Sequence, residues 1–342
     1  MSKKPTTLIS VATLLMASFG LLQAQTVSTD PVGYVTLTIN GTGGTASEAY
    51  SYLGVPLHLA SSTSGSISNV TGATISSSGQ SWTENAYANT HYILITSGSN
   101  AGINTTITSN TSDTLTTADD ISSFLSGDET FSVHEYNTIA NVFGAANESG
   151  LDGGSSAGNA DKILIQTATG FNTYYYKNAG LLGGTGWRSS TSTITDASNT
   201  VIAPGAGIIV VRSQTDDINL VISGSVYSSD AITPVEAGYN WKTASIPVTL
   251  TLSGLFGANN EAGLDGGSSA GNADNVLVLD SDTGAITSYY YKDSGLLGGT
   301  GWRSSVSTIT DQANAVIAEP GKMFLINRSG GSAFNLTEAS PL

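Results

Sequence analysis

The chain has no cysteine, few prolines, only 11 lysines and arginines, and no long apolar run beyond its first two dozen residues. Without cysteine there is no disulfide frame, no thiolate nucleophile and no cysteinyl metal site, so an apolar core has to stabilise the fold. The scarcity of basic residues, set against 26 acids for a net charge of −15, makes nucleic acid and anionic membrane surfaces poor partners, since both are bound through clustered Lys and Arg. No internal stretch approaches the roughly 20 apolar residues a spanning helix needs. Charged residues are only 11% of the chain, yet 39% is hydrophobic and spread along it, which is not the composition of a disordered tail.

What is present begins with "MSKKPTTLISVATLLMASFGLLQAQ": Lys3 and Lys4, an apolar run from Leu8 to Leu22, and Leu22-Gln23-Ala24 before Gln25. This reads as a secretory signal peptide over residues 1–24, and it predicts a secreted or cell-surface protein. Forty glycines, fourteen tyrosines and abundant Ser and Thr then describe short strands and tight turns. The expected class is all-β.

A repeat dominates the rest. "FGAANESGLDGGSSAGNADKILIQ...YYYK...GLLGGTGWRSS", starting at Phe143, returns from Phe256, with an offset of 113 residues at Asp161/Asp274 and 115 at Tyr174/Tyr289. Two residues have entered where "QTATGFNT" becomes "LDSDTGAITS", the kind of change a hairpin turn tolerates. In each copy "TIANVFG" or "TLSGLFG" predicts a short helix stopped by Gly144 or Gly257. "DKILIQ" and "TYYYK" predict a hairpin, and "TVIAPGAGIIVVRS" predicts strand, turn and strand. The region before the repeats predicts short strands at barrel or sandwich spacing, with one helix at "TADDISSFLSG" capped by Thr117, burying Ile121, Phe124 and Leu125, and ended by Gly127. The expected division is a 26–136 N-terminal β domain, a small barrel or sandwich, then β repeats at 137–237 and 238–342 with one short helix each. "YLGVPLHL" near Pro56 echoes "TASIPVTL" near Pro247, which suggests entry strands of related sheets. With no evident linker, the repeats could also pack as one pseudo-twofold body.

Three constellations could carry chemistry. Gly154-Ser155-Ser156-Ala157-Gly158, repeated around Ser269, fits the pentapeptide of a serine hydrolase. That motif needs a strand before the serine and a helix after it, whereas here a β-type run follows, and His58, His91 and His134 all precede the repeats. A glycine-serine turn is the favoured reading. Asp152, Asp161, Asp265 and Asp274 supply hard oxygens along glycine-rich turns and are candidate calcium ligands; the competing reading is turn chemistry in which Asp and Asn cap their own backbone. Tyr175, Trp187 and Arg188, with copies Tyr290, Trp302 and Arg303, are candidate contacts for a glycan or a protein partner, because strand alternation predicts one exposed aromatic face. The alternative is that they cover a sheet.

"DPVGYVTL" after the leader, "YILITSGSNAG...ITSNTSDTLTT...FLSGDETFSVHEYNTIANVFG", and the "FG...GLDGG...AD...YYY...GWR" units together resemble a group of exported proteins known mainly from Verrucomicrobia. The resemblance implies export and a shared architecture, and brings no activity, cofactor or catalytic residue. The expected function is therefore a non-enzymatic structural or adhesive β protein acting through repeated surfaces. Its partners would be further copies of itself or an envelope or extracellular glycan, with calcium as the candidate cofactor. An extracellular carbohydrate-binding module is the alternative, and a secreted hydrolase the less favoured one.

Overall fold

The computed structural model describes residues 31–44, 46–167, 169–180, 182–295 and 297–341; the leader lies outside these. The strands in chain order are β1 (Val32–Ile39), β2 (Ala49–Gly54), β3 (Ser61–Ser66), β4 (Asn69–Thr71), β5 (Thr74–Ser76), β6 (His91–Ile95), β7 (Asn104–Asn110), β8 (Thr114–Thr117) and β9 (Thr130–Glu135). There follow β10 (Asn137–Thr138), helix α1 (Ile139–Phe143), β11 (Lys162–Thr167), β12 (Gly170–Lys177), β13 (Gly186–Ser189), β14 (Val201–Ile202), β15 (Gly207–Arg212) and β16 (Ile218–Ser225). The last set is β17 (Ala231–Val235), β18 (Gly238–Thr243), β19 (Leu250–Thr251), helix α2 (Leu252–Phe256), β20 (Asn275–Leu279), β21 (Ile286–Lys292), β22 (Gly301–Ser304), β23 (Val316–Ala318), β24 (Met323–Arg328) and β25 (Phe334–Glu338). The protein is all-β, and no helix among the described residues is long and apolar enough to cross a membrane.

Two equivalent units emerge from the pairing. One five-stranded sheet has the order β13-β12-β11-β15-β2, the other β22-β21-β20-β24-β18. Each unit adds a two-stranded ribbon, β1 with β16 and β17 with β25, and a short bridge, β10 with β14 and β19 with β23. The echo between Pro56 and Pro247 is therefore structural: β2 and β18 fill the same edge position.

This pairing moves the domain boundaries. β1 and β2 belong to the sheets of the first unit, so the N-terminal domain is not residues 26–136; it is an insertion of roughly residues 59–136 between β2 and β10 of the first unit. The second unit runs from Pro247 to β19 without it, and it starts at β17 rather than at residue 238. The inserted region is a seven-stranded sheet, β3-β9-β6-β7-β8-β5-β4, wrapped on a core that includes Ile75, Ile93, Ile95, Ile107, Leu115, Phe131 and Val133. It is a curled sheet rather than a closed barrel. The helix expected at "TADDISSFLSG" contracts to one 3-10 turn, Ser122–Phe124. Thr117 stays in β8, its hydroxyl donating to the Ala73 and Asp119 carbonyls, and Phe124 faces solvent.

Each one-turn helix is too short to hold itself, and burial holds it. Thr138 accepts a hydrogen bond from Asn141 N at 3.2 Å, Ile139, Val142 and Phe143 enter the core, and Gly144 ends the turn at φ +89°. Thr251, Leu252, Leu255, Phe256 and Gly257 repeat the arrangement.

The units meet about a pseudo-twofold axis. Gly54 N donates to Gly321 O at 2.9 Å, and the equivalent Thr243 N donates to Gly205 O at 3.1 Å. Ile209, Val211 and Met323 form a shared apolar layer with Tyr52, Leu164 and Trp241 packed on it. At the axis, equivalent positions confront each other with unequal residues. A Cβ on Gly54 would overlap the Thr243 side chain, and one on Gly207 would overlap Met323.

Candidate functional site

The repeated motifs are structural where the structure places them. Ser156 is the N-cap of a 3-10 turn, Ala157–Asn159, in a capping box with Asn159, and Ser269 does the same with Asn272. His134 lies elsewhere, in the inserted sheet, with Nε2 2.7 Å from Ser132 Oγ and Nδ1 2.9 Å from Leu59 O. Tyr92 stacks on its ring, and the small cavity beside Tyr92 and His58, about 10 Å³, admits a water at most.

The buried aspartates have arginine partners. Asp161 Oδ2 is 3.0 Å from Arg212 Nε and accepts from Asp152 N at 2.9 Å, while Oδ1 accepts from Ser213 N. Asp274 repeats this with Arg328, Asp265 N and Ser329 N. Each of these buried carboxylates is thus paired with a guanidinium, and Asp152 and Asp265 join them through their backbone amides. Asp280 likewise accepts from Asp282 N and Thr283 N, and these backbone donors hold its carboxyl below the usual range. That is turn chemistry.

The aromatic set is buried, which corrects the expectation of an exposed contact face. Trp187 and Trp302 are 0% exposed, and their indole N–H groups donate to Gly144 O at 2.8 Å and Gly257 O at 2.9 Å, closing the helix ends. Tyr175 and Tyr290 are buried opposite Arg188 and Arg303. The physical reason is the glycine-rich loop after β12. Lys177 and Arg188, on the face of Tyr175, donate to the carbonyls of Leu182, Gly183 and Thr185 in that loop, and Lys177 also to Thr193 O in the loop after β13, so both loops lie over that face. Lys292 and Arg303 pin the copy in the same way.

A different constellation forms where the three parts of the chain meet. A cleft of about 600 Å³ is walled by Asn104, Thr105, Thr106, Asp119 and Tyr136 of the inserted sheet, Gln166 and Pro204 of the first unit, and Glu236, Tyr239, Asn240, Trp241 and Lys242 of the second. Beside Trp241 lies a neighbouring hollow of about 500 Å³ that reaches Phe171 and shares Gln166, Thr167, Ala237, Tyr239 and Trp241 with the cleft. Alternation on β18 puts Tyr239 and Trp241 on one face. Tyr239 is 63% exposed, and Phe171 meets the Trp241 ring edge-on at 5.4 Å between centroids.

The site's own hydrogen bonds hold it in shape. Asn240, on the same face of β18 as Lys242 and opposite Tyr239 and Trp241, accepts from Glu236 N at 2.9 Å and donates to Glu236 O at 2.8 Å, which fixes the turn entering the strand. Gln166 clamps the strand to the hairpin of the first unit, donating to Tyr239 O at 2.8 Å and accepting from Trp241 N at 3.2 Å. Across the cleft, Asp119 accepts from Thr105 Oγ1 at 2.7 Å. Lys242 Nζ donates to Pro234 O at 2.7 Å, and burial lowers its pKa to about 8 against the opposing pull of Glu236 and Glu338. Burial also pushes Glu338 up to about 7, although Ser245 N and Ile246 N donate to its carboxylate.

The pseudo-twofold equivalent of this site is built differently. Tyr50 and Tyr52 stand in the places of Tyr239 and Trp241, and the two-residue insertion of the second repeat folds onto them: Ser281 Oγ accepts from Tyr52 N at 3.2 Å, and Asn40 Nδ2 donates to Asp282 Oδ1 at 2.8 Å. A hollow of about 280 Å³ beside this turn is lined by Leu279, Asp280, Ser281, Asp282, Glu319 and Lys322, and neither tyrosine lines it. The aromatic pair that borders a cleft next to the inserted sheet is thus Tyr239 and Trp241 of the second unit.

Sequence reasoning missed Tyr239, Trp241, Phe171 and Lys242. The available signal was "EAGYNWKT", an alternating aromatic strand outside the conspicuous repeat. No family model, curated protein or solved structure matches the chain.

Proposed function

We propose that this is a non-catalytic adhesive β protein of the cell surface or extracellular space, and that it adheres through a glycan held in the cleft between its three parts. The observation that carries this reading is the cleft itself: Trp241 and Tyr239 line it with side-chain amides, hydroxyls and carboxylates, and Phe171 lines the adjoining hollow with the same two rings. Rings stack on the apolar faces of sugars while polar groups bind the hydroxyls around the edge. The rigid clamps by Gln166 and Asn240 support it further, because a preorganised platform loses less entropy on binding. Export rests on the leader at residues 1–24, and secretion of the full chain with cleavage after Ala24 is the check on it. Binding is tested by co-sedimentation with insoluble wall polysaccharides. Wild-type protein is retained in the pellet, and a folded Tyr239→Ala/Trp241→Ala variant stays in the supernatant; equal retention of both would refute the reading.

A second observation favours self-contact through the repeats. Leu182 and Ile194 of the first unit, and Leu297 and Ile309 of the second, are all 60–68% exposed on equivalent loops. Two matching apolar patches on one chain would allow copies to link in series. Sedimentation velocity and electron microscopy test this: concentration-dependent assemblies lost in Leu182→Asp/Leu297→Asp support it, and a monomer at all concentrations counts against it.

A further inference from the structure

Resting on the glycan reading of the cleft, we infer the class of glycan: an uncharged linear polysaccharide bound along an internal stretch, with uronate and sulfated polymers rejected. Three observations converge. The first is charge. Asp119 and Glu236 line the cleft, and Lys242 is the one cationic side chain among its described lining residues. Its ammonium is already directed at the Pro234 carbonyl at 2.7 Å and is faced by Glu236 and Glu338. A uronate or sulfate laid there meets carboxylates at distances shorter than the roughly 8 Å over which physiological salt screens them, on a chain of net charge −15.

The second observation is hydrogen-bonding type. An ionised carboxylate only accepts, and its strongest neutral partners are O–H donors. Sugar hydroxyls supply these in pairs, while Asn104, Gln166 and the threonines match the rest of a neutral polyol. An ammonium-bearing polymer would find the carboxylates too, but it would lie against Lys242, and most of the lining is uncharged.

The third is shape. The cleft and the neighbouring hollow lie side by side and share the walls Gln166, Thr167, Ala237, Tyr239 and Trp241. Trp241 thus borders two adjacent concavities of about 600 and 500 Å³, room for several successive sugar units rather than for one chain end. A site of this kind grips internal sugars and gains affinity with chain length.

Affinity electrophoresis of the full mature chain at pH 7 tests this, with neutral polymers (β-glucan, xylan, mannan), anionic ones (alginate, polygalacturonate, a sulfated galactan) and cationic chitosan. The expected result is retardation by at least one neutral polymer and by none of the anionic ones. A neutral hexasaccharide from that polymer should bind at least tenfold more tightly than its disaccharide. Tyr239→Ala and Phe171→Ala, both at exposed rings, should weaken binding at least tenfold with an unchanged melting temperature. Retardation by anionic polymers, or by chitosan alone, lost in Tyr239→Ala, overturns the assigned class and leaves the glycan cleft standing. Equal affinity for hexasaccharide and disaccharide overturns the internal-stretch geometry. Failure of every polymer to retard the protein overturns the cleft reading itself and this inference with it.

Discussion

At the scale of single residues, tryptophans divide by burial. Trp187 and Trp302 are 0% exposed and satisfy helix-end carbonyls, whereas Trp241 lines the cleft. Trp187→Ala is expected to cost about 3–5 kcal/mol in urea unfolding and to leave glycan affinity unchanged in the fraction that folds. Trp241→Ala should lose affinity for a much smaller loss of stability; the reverse ordering would put the site in the repeats after all. Asp161→Asn leaves Arg212 buried without a counter-ion, its remaining partner being the Asp216 carbonyl, an expected loss of about 3–5 kcal/mol. Because that arginine already pairs with the aspartate, the melting midpoint should be the same in calcium and in chelator, and a rise with calcium would restore the metal reading. Glu338 makes stability depend on pH. Burial raises its folded pKa to about 7, above the ordinary value of 4.5, so its contribution is full below about pH 4.5 and is lost as pH rises through 7. The size is about 3 kcal/mol. Lys242, lowered to about 8, acts in the opposite sense and only above that pH. Urea midpoints between pH 4.5 and 7.5 should therefore fall for the wild type and stay nearly flat for Glu338→Gln; the same slope in both would assign the effect elsewhere.

At the scale of elements, the two sheets fit because equivalent positions have diverged. Gly207 faces Met323, and Gly54 faces Thr243. Were both sides glycine the axis would hold a void, and were both bulky it would clash. Gly207→Ala is expected to destabilise by about 1–3 kcal/mol through overpacking, and Met323→Ala in the same chain should recover much of that loss. A simple sum of the two penalties in the double mutant would mean the pair does not meet at the axis. These elements were unequally legible in the sequence. The hairpin at Thr169-Gly170, the helices stopped by Gly144 and Gly257, and the turn before Gly207 followed from local periodicity and turn chemistry. The burial of Tyr175 did not, because the loop that covers it is held by Lys177 and Arg188 across a fold-back that alternation along one strand does not encode. The helix at Thr117 also contracted, its hydroxyl taken by the Ala73 carbonyl of a strand far away in sequence. Trp241 was hidden for a similar reason: the cleft that it lines is walled by three segments distant in sequence.

At the scale of the whole molecule, an inserted domain breaks one copy of a duplicated scaffold and supplies one wall of the cleft at Trp241. The first unit continues from β2 to β10 only after roughly residues 59–136, whereas the second makes the same connection directly from Pro247 to Leu250. Replacing 59–136 by the short link of the second unit should therefore leave both five-stranded sheets intact, since neither draws a strand from the insertion. The shortened chain should still unfold cooperatively. It should also be less stable than the full chain, because Tyr92, Leu94 and Tyr136 of the insertion pack on Tyr227, Ala231 and Ile246, and that apolar surface would open to water. Glycan binding should weaken sharply, because Asn104, Thr106 and Asp119 form one wall of the cleft, even though Tyr239 and Trp241 would remain clamped by Gln166. Far-ultraviolet circular dichroism, urea unfolding and co-sedimentation on one sample separate these outcomes. A folded two-unit body with full affinity would mean that the insertion is dispensable for binding and that the aromatic strand suffices; a chain that does not fold would mean that the insertion is part of the core rather than an addition to it.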